Sequence, residues 1–242
     1  MAGREWRAGL PFGKGARIFL AVPDPAIANL AAELAELPLP EGSAVIHLSG
    51  ALGLAPLKSV AEAGRDVGSL HPLQSFPVER EPEAFRGALV AVDASSPRLL
   101  GELMRLARAL GARPRRVPPE ERTLYHAAAV LASNYLVALS AQAAEVLGRA
   151  GWSREDALAA LLPLMRGVTE NLAVAGLPDA LIGPIRRGDP ETVARQLSEL
   201  KATGGGIPVE VYRILGSAAL ELAREAGLEE ETARRIEEAL TG

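Results

Sequence analysis

The sequence predicts an α/β domain built on a doubly wound parallel sheet, followed by an all-helical domain. The first domain is predicted because short apolar runs of strand type alternate with segments of helical spacing. The second is predicted because the apolar spacing is helical throughout after Pro118-Pro119, two residues that favour the start of a helix. The domains are therefore expected to cover residues 1–117 and 118–242.

The elements of the first domain can be placed in order along the chain. Strands are predicted at residues 17–22, 44–48, 66–70, 88–92 and 113–117. Helices are predicted around residues 27–34, 56–63 and 97–110. Ligands of such sheets bind at the carboxyl ends of the strands. Here those ends carry Pro23-Asp24, Ser49-Gly50 and Ser69-Leu70-His71-Pro72.

The helices of the second domain have start and stop signals of their own. Ser153, followed three residues later by Asp156, has the form of a capped helix start. Pro163 should bend or split that helix, because proline removes a backbone donor. Asp189-Pro190 supplies an N-cap and a first-turn proline for a further helix. A final amphipathic helix is expected to end at Leu240.

One stretch of the second domain, the helix predicted at residues 124–147, is unusually apolar. Residues 127–144 carry no formal charge, so the helix must be shielded from water on most of its circumference. Its length is near the lower limit for a membrane span, but alanine dominates its apolar residues and several polar side chains interrupt it. These features favour a buried core helix over a membrane span.

The polar residues of that helix also predict a site and an assembly. At about 100° per residue, one sector contains Arg122, His126, Ser133 and Asn134. Such a sector either pairs buried polar groups or borders a cleft. The charge-free length is more than one small helical domain can cover. We therefore expect a homodimer that buries part of it.

The composition excludes several classes of function. A formal net charge of −4 predicts no general affinity for nucleic acid or for an anionic membrane. The chain has no cysteine, which excludes disulfides and thiolate catalysis and makes the cytoplasm the expected compartment. No signal peptide is expected, because residues 1–17 contain no continuous apolar segment. The three lysines lie outside the candidate sites, so Schiff-base chemistry is not expected.

The sequence lacks the glycine-rich turn of a dinucleotide site. That site needs G-x-G-x-x-G between a strand and a helix, where pyrophosphate meets backbone N–H groups. Here Gly13-Lys14-Gly15 precedes a strand, and Gly204-Gly205-Gly206 lies between helices. There is also no G-x-S-x-G, the nucleophile turn of α/β hydrolases. The residues alone therefore do not predict nucleotide binding.

Histidine is the side chain best suited to proton transfer near neutral pH, and the chain has three. His71 is the strongest candidate, because it follows a strand end and Pro72 restricts its backbone. His47 is expected to point into the sheet, and His126 lies on the apolar helix. A metal site of three histidines stays open, although no H-x₃-H spacing supports it.

Five segments resemble, in the same order, one known family. They are VPDPAIANLAAEL from Val22, IHLSGALGLAPLKSVAEAG from Ile46, GSLHPLQSFP from Gly68, LYHAAAVLASNYLVAL from Leu124 and GPIRRGD from Gly183. The family is that of Rossmann-like proteins with a DUF2520 carboxyl-terminal domain, within the 6-phosphogluconate-dehydrogenase-like and pyrroline-carboxylate-reductase-like superfamily. The resemblance covers most of residues 17–242. It implies an NAD(P)-binding domain, a helical domain that commonly dimerises, and oxidoreductase activity on an undefined small molecule.

The resemblance also implies site residues. Near the nicotinamide end of the cofactor, NADP or NAD, it places Val22, Pro23, Asp24, Ser49 and Gly50. Along a cleft between the domains it places Ser69, His71, Gln74, Tyr125, His126 and Asn134. We expect His71 or His126 to donate or accept the proton and Asn134 to position the substrate. The remaining three, Ser69, Gln74 and Tyr125, are expected to contact the substrate.

The chain departs from the family pattern at its start. Family members begin with a further strand, glycine-rich turn, helix and strand, whereas here sixteen residues precede Arg17. We therefore expect a truncated sheet that lacks the first β-α-β unit and its pyrophosphate turn. Either the start is truncated or misannotated, or the chain is a natural variant that has lost its cofactor. At Arg122, many relatives have a lysine that could have donated a proton.

Two functions stay open at this point. The first is an NAD(P)-dependent oxidoreductase whose cofactor site is incomplete in this chain. The second is a non-catalytic, dimeric protein that binds a small metabolite in the same cleft. In both cases the expected partners are a small molecule and a second copy of the chain, with no nucleic acid and no membrane.

Overall fold

The computed structural model describes residues 13–76 and 81–242. Residues 1–12, which belong to the predicted first domain, lie outside this description. The chain forms two compact units, residues 13–133 of the described chain and residues 134–242. The change in sequence pattern at residue 117 therefore precedes the division between the units, because the next helix packs with the sheet.

Five strands form one sheet in which the spatial order follows the chain. They are β1 (Arg17–Leu20), β2 (Ala44–His47), β3 (Asp66–Pro72), β4 (Leu89–Ala94) and β5 (Arg113–Arg116). The first three are mutually parallel, and β4 is parallel to β5. All five strands thus start and end within two residues of the predicted positions, and β3 and β4 each extend two residues further.

The prediction of an all-parallel sheet was wrong at one pair, because β3 and β4 are antiparallel. A parallel return needs a crossover connection, usually a helix that packs on the sheet. The described part of the connection between β3 and β4 contains only one short 3-10 helix, Pro82–Phe85. The chain therefore comes back in the opposite direction beside β3. The α/β fold class itself is confirmed.

Helices cover both faces of the sheet, which makes it doubly wound. On one face α1 (Asp24–Ala35) and α2 (Lys58–Glu62) pack against Val45 and the apolar side chains of β1. On the other face α3 (Pro97–Ala109) packs against Ile46, because successive residues of a strand point to opposite sides. This arrangement leaves the carboxyl ends of β1, β2 and β3 together at one edge.

The first unit ends with α4 (Pro119–Ala132), which is attached to the sheet through the fully buried Arg122. The predicted continuous helix at residues 124–147 is in fact broken at Ser133, whose backbone leaves the helical region (φ −123°, ψ −72°). The hydroxyl of Ser133 donates to the carbonyl of Ala129 at 2.6 Å, the kind of local bond that competes with regular helix. The polar sector that was predicted on one continuous helix is therefore interrupted by this break. Arg122 and His126 belong to α4.

The second unit contains six helices. They are α5 (Asn134–Arg149), α6 (Arg154–Ala175), α7 (Pro184–Arg187), α8 (Pro190–Ala202), α9 (Ile207–Glu225) and α10 (Glu230–Thr241). Its buried core lies among α7, α8, α9 and α10, with Val193, Leu220 and Ile236 at the centre. The helices α5 and α6 pack against each other and contribute little to that core.

The predicted helix starts of this unit are confirmed. Ser153 caps α6 by accepting a hydrogen bond from the N–H of Asp156 at 3.0 Å. Asp189 caps α8 in the same way through Thr192, also at 3.0 Å. Pro163 lies inside α6 and does not split it, so of the two predicted effects a split does not occur and a bend stays a prediction.

The prediction of a buried core helix was also wrong for the single chain. The stretch Pro119–Arg149 and the helix Arg154–Ala175 are long and apolar enough to cross a membrane, and 6% of the most apolar window of each is buried. Val137 in α5 is 72% exposed and Leu164 in α6 is 61% exposed. Composition alone does not predict this exposure. A helix without charges has the same composition whether it is buried within its own chain or against another surface.

Candidate functional site

Three parallel strands end side by side and bring the candidate residues of the first unit together. The segment Val22–Asp24 follows β1, Ser49–Gly50 follows β2, and His71–Pro72 ends β3. In open α/β sheets this edge is where ligands bind. The predicted grouping of these strand ends is what the structure shows.

The loop after β2 is rigid because its polar groups are satisfied internally. The hydroxyl of Ser49 donates to the carboxylate of Asp24 at 2.8 Å and accepts from the N–H groups of Ala51 and Leu52 at 3.2 and 3.1 Å. Ser49 is 7% exposed, whereas Asp24 is on the surface. This bond therefore joins the start of α1 to the end of β2.

His47 has the structural role that the sequence favoured. It is fully buried, its Nδ1 accepts from the N–H of Ser49 at 3.2 Å, and its Nε2 donates to the carbonyl of Gly53 at 2.8 Å. Burial lowers the pKa of the imidazole, so the ring stays neutral. Both ring nitrogens are used to shape the loop, and neither is left for a ligand.

A buried guanidinium fixes the strand ends from the other side. Arg122 in α4 is 1% exposed; its Nε donates to the carbonyl of Val117 at 3.1 Å and one Nη to the carbonyl of Ser49 at 3.3 Å. The other Nη donates to the hydroxyl of Ser69. Burial lowers the pKa of Arg122, yet arginine keeps its charge. Within the described residues no carboxylate forms an ion pair with Arg122, and the charge of Asp93, which pairs with Arg116, acts on the guanidinium from further away.

Above this support, two histidines face one glycine. A methyl group added at Gly50 would lie 2.7 Å from Nε2 of His71 and 3.0 Å from Nδ1 of His126. The ring centroids of the two histidines are 6.3 Å apart. Nδ1 of His71 hydrogen-bonds the hydroxyl of Tyr125 at 2.8 Å, and Nδ1 of His126 is buried without a hydrogen-bond partner. Gly50 therefore lets both imidazole rings approach the loop after β2 as closely as a side chain at that position would lie.

The electrostatics of the pair keep His71 neutral. Burial, followed by the nearby His126 and Arg122, lowers the pKa of His71 from 6.5 to about 4. Burial also raises the pKa of the Tyr125 hydroxyl. Near pH 7 the site thus contains a neutral imidazole bonded to a protonated phenol. A neutral imidazole acts as a hydrogen-bond donor or acceptor and not as a cationic acid.

Several predicted site residues are placed differently from the histidine pair. Ser69 is fully buried and its hydroxyl contacts Arg122, so it supports the site and does not face a ligand. Gln74 is exposed, and its amide donates to the carbonyl of Ala84 at 3.2 Å. Val22 packs on the core beside α1. Asn134 begins α5 in the second unit, and its place beside His71 stays a prediction.

Two features of the site were missed from the sequence: the anchoring of the strand ends by Arg122, and the bond between His71 and Tyr125. Helical spacing contained a partial signal, because Arg122, Tyr125 and His126 are three and four residues apart and so share one face of α4. Nothing in the sequence indicated which strand ends this face would meet.

The described residues do not fit the pyrophosphate of a dinucleotide. The β1–α1 turn contains no glycine, Asp24 places a carboxylate in the first turn of α1, and Pro25 removes an N–H donor there. The N–H groups of Ala51 and Leu52 are already bonded to Ser49. No group of three or more metal-binding side chains occurs among residues 13–76 and 81–242, so the three-histidine metal site finds no support there.

The fold and the strand-end site together define an α/β protein of the doubly wound, Rossmann-like type with a separate helical unit. A model of a Rossmann-like domain matches residues 12–72, and a model of the domain of unknown function DUF2520 matches residues 88–219. The second match covers more than half of the chain. The chain belongs to the DUF2520 family.

Solved structures share this architecture. Protein TM1727 from Thermotoga maritima is 26% identical, with 88% of this chain and 80% of that chain covered and a TM-score of 0.73. Protein BF3122 from Bacteroides fragilis is 23% identical, with coverages of 92% and 75% and a TM-score of 0.66. Pyrroline carboxylate reductase from Plasmodium falciparum, solved with NADP bound, is 13% identical, with coverages of 93% and 77% and a TM-score of 0.53. No curated protein matches the chain.

Replacing Gly50 by alanine should disturb the histidine pair. The new methyl group would overlap His71, so we expect the free energy of unfolding to fall by about 1–3 kcal/mol and the imidazole NMR signals of His71 and His126 to move. Gly101→Ala, in α3, is the control, because its methyl group meets only ordinary contacts and should leave stability equal or up to about 1 kcal/mol higher. Unchanged stability and signals in Gly50→Ala would contradict the close approach.

The lowered pKa of His71 predicts a dependence of stability on pH. The unfolded chain binds this proton more tightly than the folded chain, so acidification from pH 6.5 to about 4 should favour unfolding. Above pH 6.5 the protonation of His71 does not change the free energy of unfolding. Below about pH 4 the destabilisation that it causes has reached its full value. His71→Gln should flatten the fall measured by urea unfolding at a series of pH values, although buried His47 still contributes in the same direction. Ser75→Ala should keep the original slope; an unchanged slope in His71→Gln would refute the prediction.

Proposed function

We propose that this protein is an oxidoreductase of the NAD(P)-dependent class acting on a small molecule. The observation that carries the proposal is the pair of imidazole nitrogens of His71 and His126, which meet above Gly50 at the carboxyl ends of parallel strands. This is the ligand position of doubly wound folds. The description of the Plasmodium falciparum relative as a reductase with NADP bound supports the class of reaction, at the level of a shared fold.

The part of the chemistry that the chain's own residues supply is polarisation of a reacting heteroatom. In the reduction of a carbonyl or an imine, negative charge develops on the oxygen or nitrogen. A neutral imidazole N–H aimed at that atom stabilises the charge, as preorganised donors do in other enzymes. His71 is neutral near pH 7, and its Nε2 lies beside Gly50 at the strand ends. The positive charge of Arg122 below the strand ends has the sign that favours the same transition state.

The residues that support this role are distinct from those that contact the ligand. Tyr125 bonds His71, and Arg122 holds Ser49 and Ser69, so His71 and the strand ends beside it are anchored. Asn134 positions the substrate. The described residues do not fit the pyrophosphate of the cofactor, so their part in the reaction is confined to the reacting heteroatom of the substrate.

The second function is a metabolite-binding protein without turnover. The observation in its favour is that the described strand-end turns lack a pyrophosphate cradle while the histidine pair is intact. Under this alternative, replacing His71 or His126 changes ligand affinity, and no nicotinamide cofactor is ever consumed. A small molecule is the ligand in both cases.

We also propose that the protein is a homodimer formed through α5 and α6. Exposed apolar side chains of large size cover both helices, among them Leu136, Val137, Leu162, Leu164, Leu172 and Val174. Contiguous apolar surfaces of this kind mark interaction sites. The same unit has a groove of about 830 Å³ bounded by α5, α8 and α9, which an apolar helix of a second copy would fill.

Two observations favour a second copy over a lipid bilayer as the cover of these helices. Arg166 and Glu170 lie within the second half of α6, and charged side chains are costly in a membrane. In the other candidate span, α4 is tied to the sheet by the buried Arg122, so about half of that stretch cannot leave the first unit without breaking its bonds to Val117 and Ser49.

Titration with NADPH and turnover of small carbonyl compounds test the first proposal. Because the described residues lack a pyrophosphate cradle, we expect binding weaker than low micromolar by calorimetry. At saturating cofactor, oxidation of NADPH should depend on His71, with His71→Gln about a hundredfold slower, the usual effect of losing one such donor. Ser75→Ala, an exposed change near His71, is the control.

Low-micromolar binding of NADPH by the 242-residue chain would contradict our interpretation of the strand-end turns. Metabolite binding that depends on His71, with no cofactor oxidised at any concentration, would contradict the oxidoreductase proposal. It would support the proposal of a metabolite-binding protein without turnover.

Light scattering tests the dimer. The wild-type chain should have twice the mass of one copy at micromolar concentration, and Val137→Glu with Leu164→Glu should give single copies, because a charge is then buried at the interface. Both residues are exposed in the single chain, so each copy should keep its fold by circular dichroism. Ala202→Glu, an exposed change in α8, should stay dimeric. A wild-type chain that is monomeric would refute the proposal.

A further inference from the structure

The hydrogen bond between His71 and Tyr125 leaves one chemical question open, which is the position of the imidazole proton. The bond joins Nδ1 of His71 to the hydroxyl of Tyr125 at 2.8 Å, and the two rings meet edge to face at 90°. Either the phenol donates to a bare Nδ1, or Nδ1–H donates to the phenol oxygen. The two cases leave opposite groups on Nε2, the nitrogen that faces Gly50.

Two physical reasons favour the phenol as donor. An imidazole nitrogen is a far better acceptor than a phenol oxygen, and a phenol O–H is a good donor. If Nδ1 were the donor, the hydroxyl proton of Tyr125 would need a second acceptor, and within the described residues its one hydrogen bond is to His71. In a half-buried position such an unpaired donor is costly.

The other ring nitrogen of His71 lies close to the second histidine. Nε2 of His71 and Nδ1 of His126 lie 2.7 and 3.0 Å from the position that a methyl group on Gly50 would take, and within the described residues the buried Nδ1 of His126 has no partner. If the phenol of Tyr125 is the donor, the resulting proton on Nε2 of His71 is matched by a bare Nδ1 on His126, because two N–H groups at this separation would repel each other.

We propose that Tyr125 is a positioning residue that donates to Nδ1 of His71 and so fixes the ring proton on Nε2, which turns His71 and His126 into a donor–acceptor pair. Nε2–H is then the ring donor that the proposed role of His71 requires, aimed at the oxygen or nitrogen on which negative charge develops. Tyr125 acts on that donor through the opposite ring nitrogen.

This inference rests on the proposed role of His71 as the ligand-facing donor, but its test needs no reaction. Nitrogen-15 NMR of imidazoles separates the two neutral tautomers, because protonated and bare ring nitrogens have different shifts. The chain has three histidines, so single substitutions assign every signal. Near neutral pH the unliganded wild-type chain should show His71 with its proton on Nε2 and His126 with a bare Nδ1.

The variant Tyr125→Phe removes one hydroxyl and keeps the ring. We expect the ratio of the Nε2–H to the Nδ1–H form of His71 to fall by about two- to tenfold, the equivalent of one hydrogen bond. Tyr212→Phe is the matched control, since it also removes one hydroxyl bonded to a neighbour, Gln196, at 2.7 Å. It should leave the His71 signals unchanged, and circular dichroism should show both variants folded.

A wild-type His71 with its proton on Nδ1 would overturn the proposal, and so would a Tyr125→Phe variant in which the tautomer ratio of His71 does not change. The wild-type spectrum decides the matter even if the variant fails to fold. Nε2–H on His71, lost in Tyr125→Phe, with no turnover of any substrate, would keep this inference and remove the oxidoreductase proposal.

Discussion

The site depends on one buried cation. The guanidinium of Arg122 reaches the carbonyls that follow β2 and β5 and the hydroxyl of Ser69 in β3, so one side chain ties three strands to α4. A buried charge is costly unless its donors are satisfied, and these hydrogen bonds offset much of that cost. A lysine at this position would have a single ammonium nitrogen. It would lack the planar guanidinium whose three nitrogens donate to three separate acceptors. The geometry of the strand ends is therefore tied to arginine in particular.

The same cation explains the state of the ligand-facing groups. Its positive charge disfavours a second positive charge nearby and, after burial, helps to lower the pKa of His71 and of His47. Both rings are thus neutral, but they use their nitrogens differently. Both ring nitrogens of His47 hydrogen-bond the loop after β2. In His71 one ring nitrogen hydrogen-bonds Tyr125 and the other lies beside Gly50. Two histidines in similar surroundings serve structure and site respectively.

Local features of the fold could be predicted from the sequence, and features that depend on distant surfaces could not. The strand ends at Asp24, Ser49 and His71 follow from apolar runs and turn residues, and the caps at Ser153 and Asp189 follow from their own first turns. The antiparallel direction of β4 depends on how the preceding connection packs, and no pattern within the strand records it.

The site shows the same limit. His71 and His126 were recognisable as candidates because histidine is rare in this chain and follows strand or helix signals. The sequence did not predict that both side chains lie beside Gly50, because that depends on the contact between one face of α4 and the end of β3. The exposure of α5 and α6 was missed for a related reason: a charge-free helix needs cover, and sequence does not say whose surface provides it.

The order of the strands has a consequence for how the first unit is made. Among residues 13–76 and 81–242, each strand pairs with its immediate neighbours in the chain, so β1 meets β2, β2 meets β3, and so on to β5. Sequential pairing keeps loop closures short, and short closures favour rapid folding. During synthesis each strand can dock on a partner that has already emerged from the ribosome. Arg122 follows all five strands in the chain. It can therefore form its hydrogen bonds to the strand ends once those strands have been synthesised.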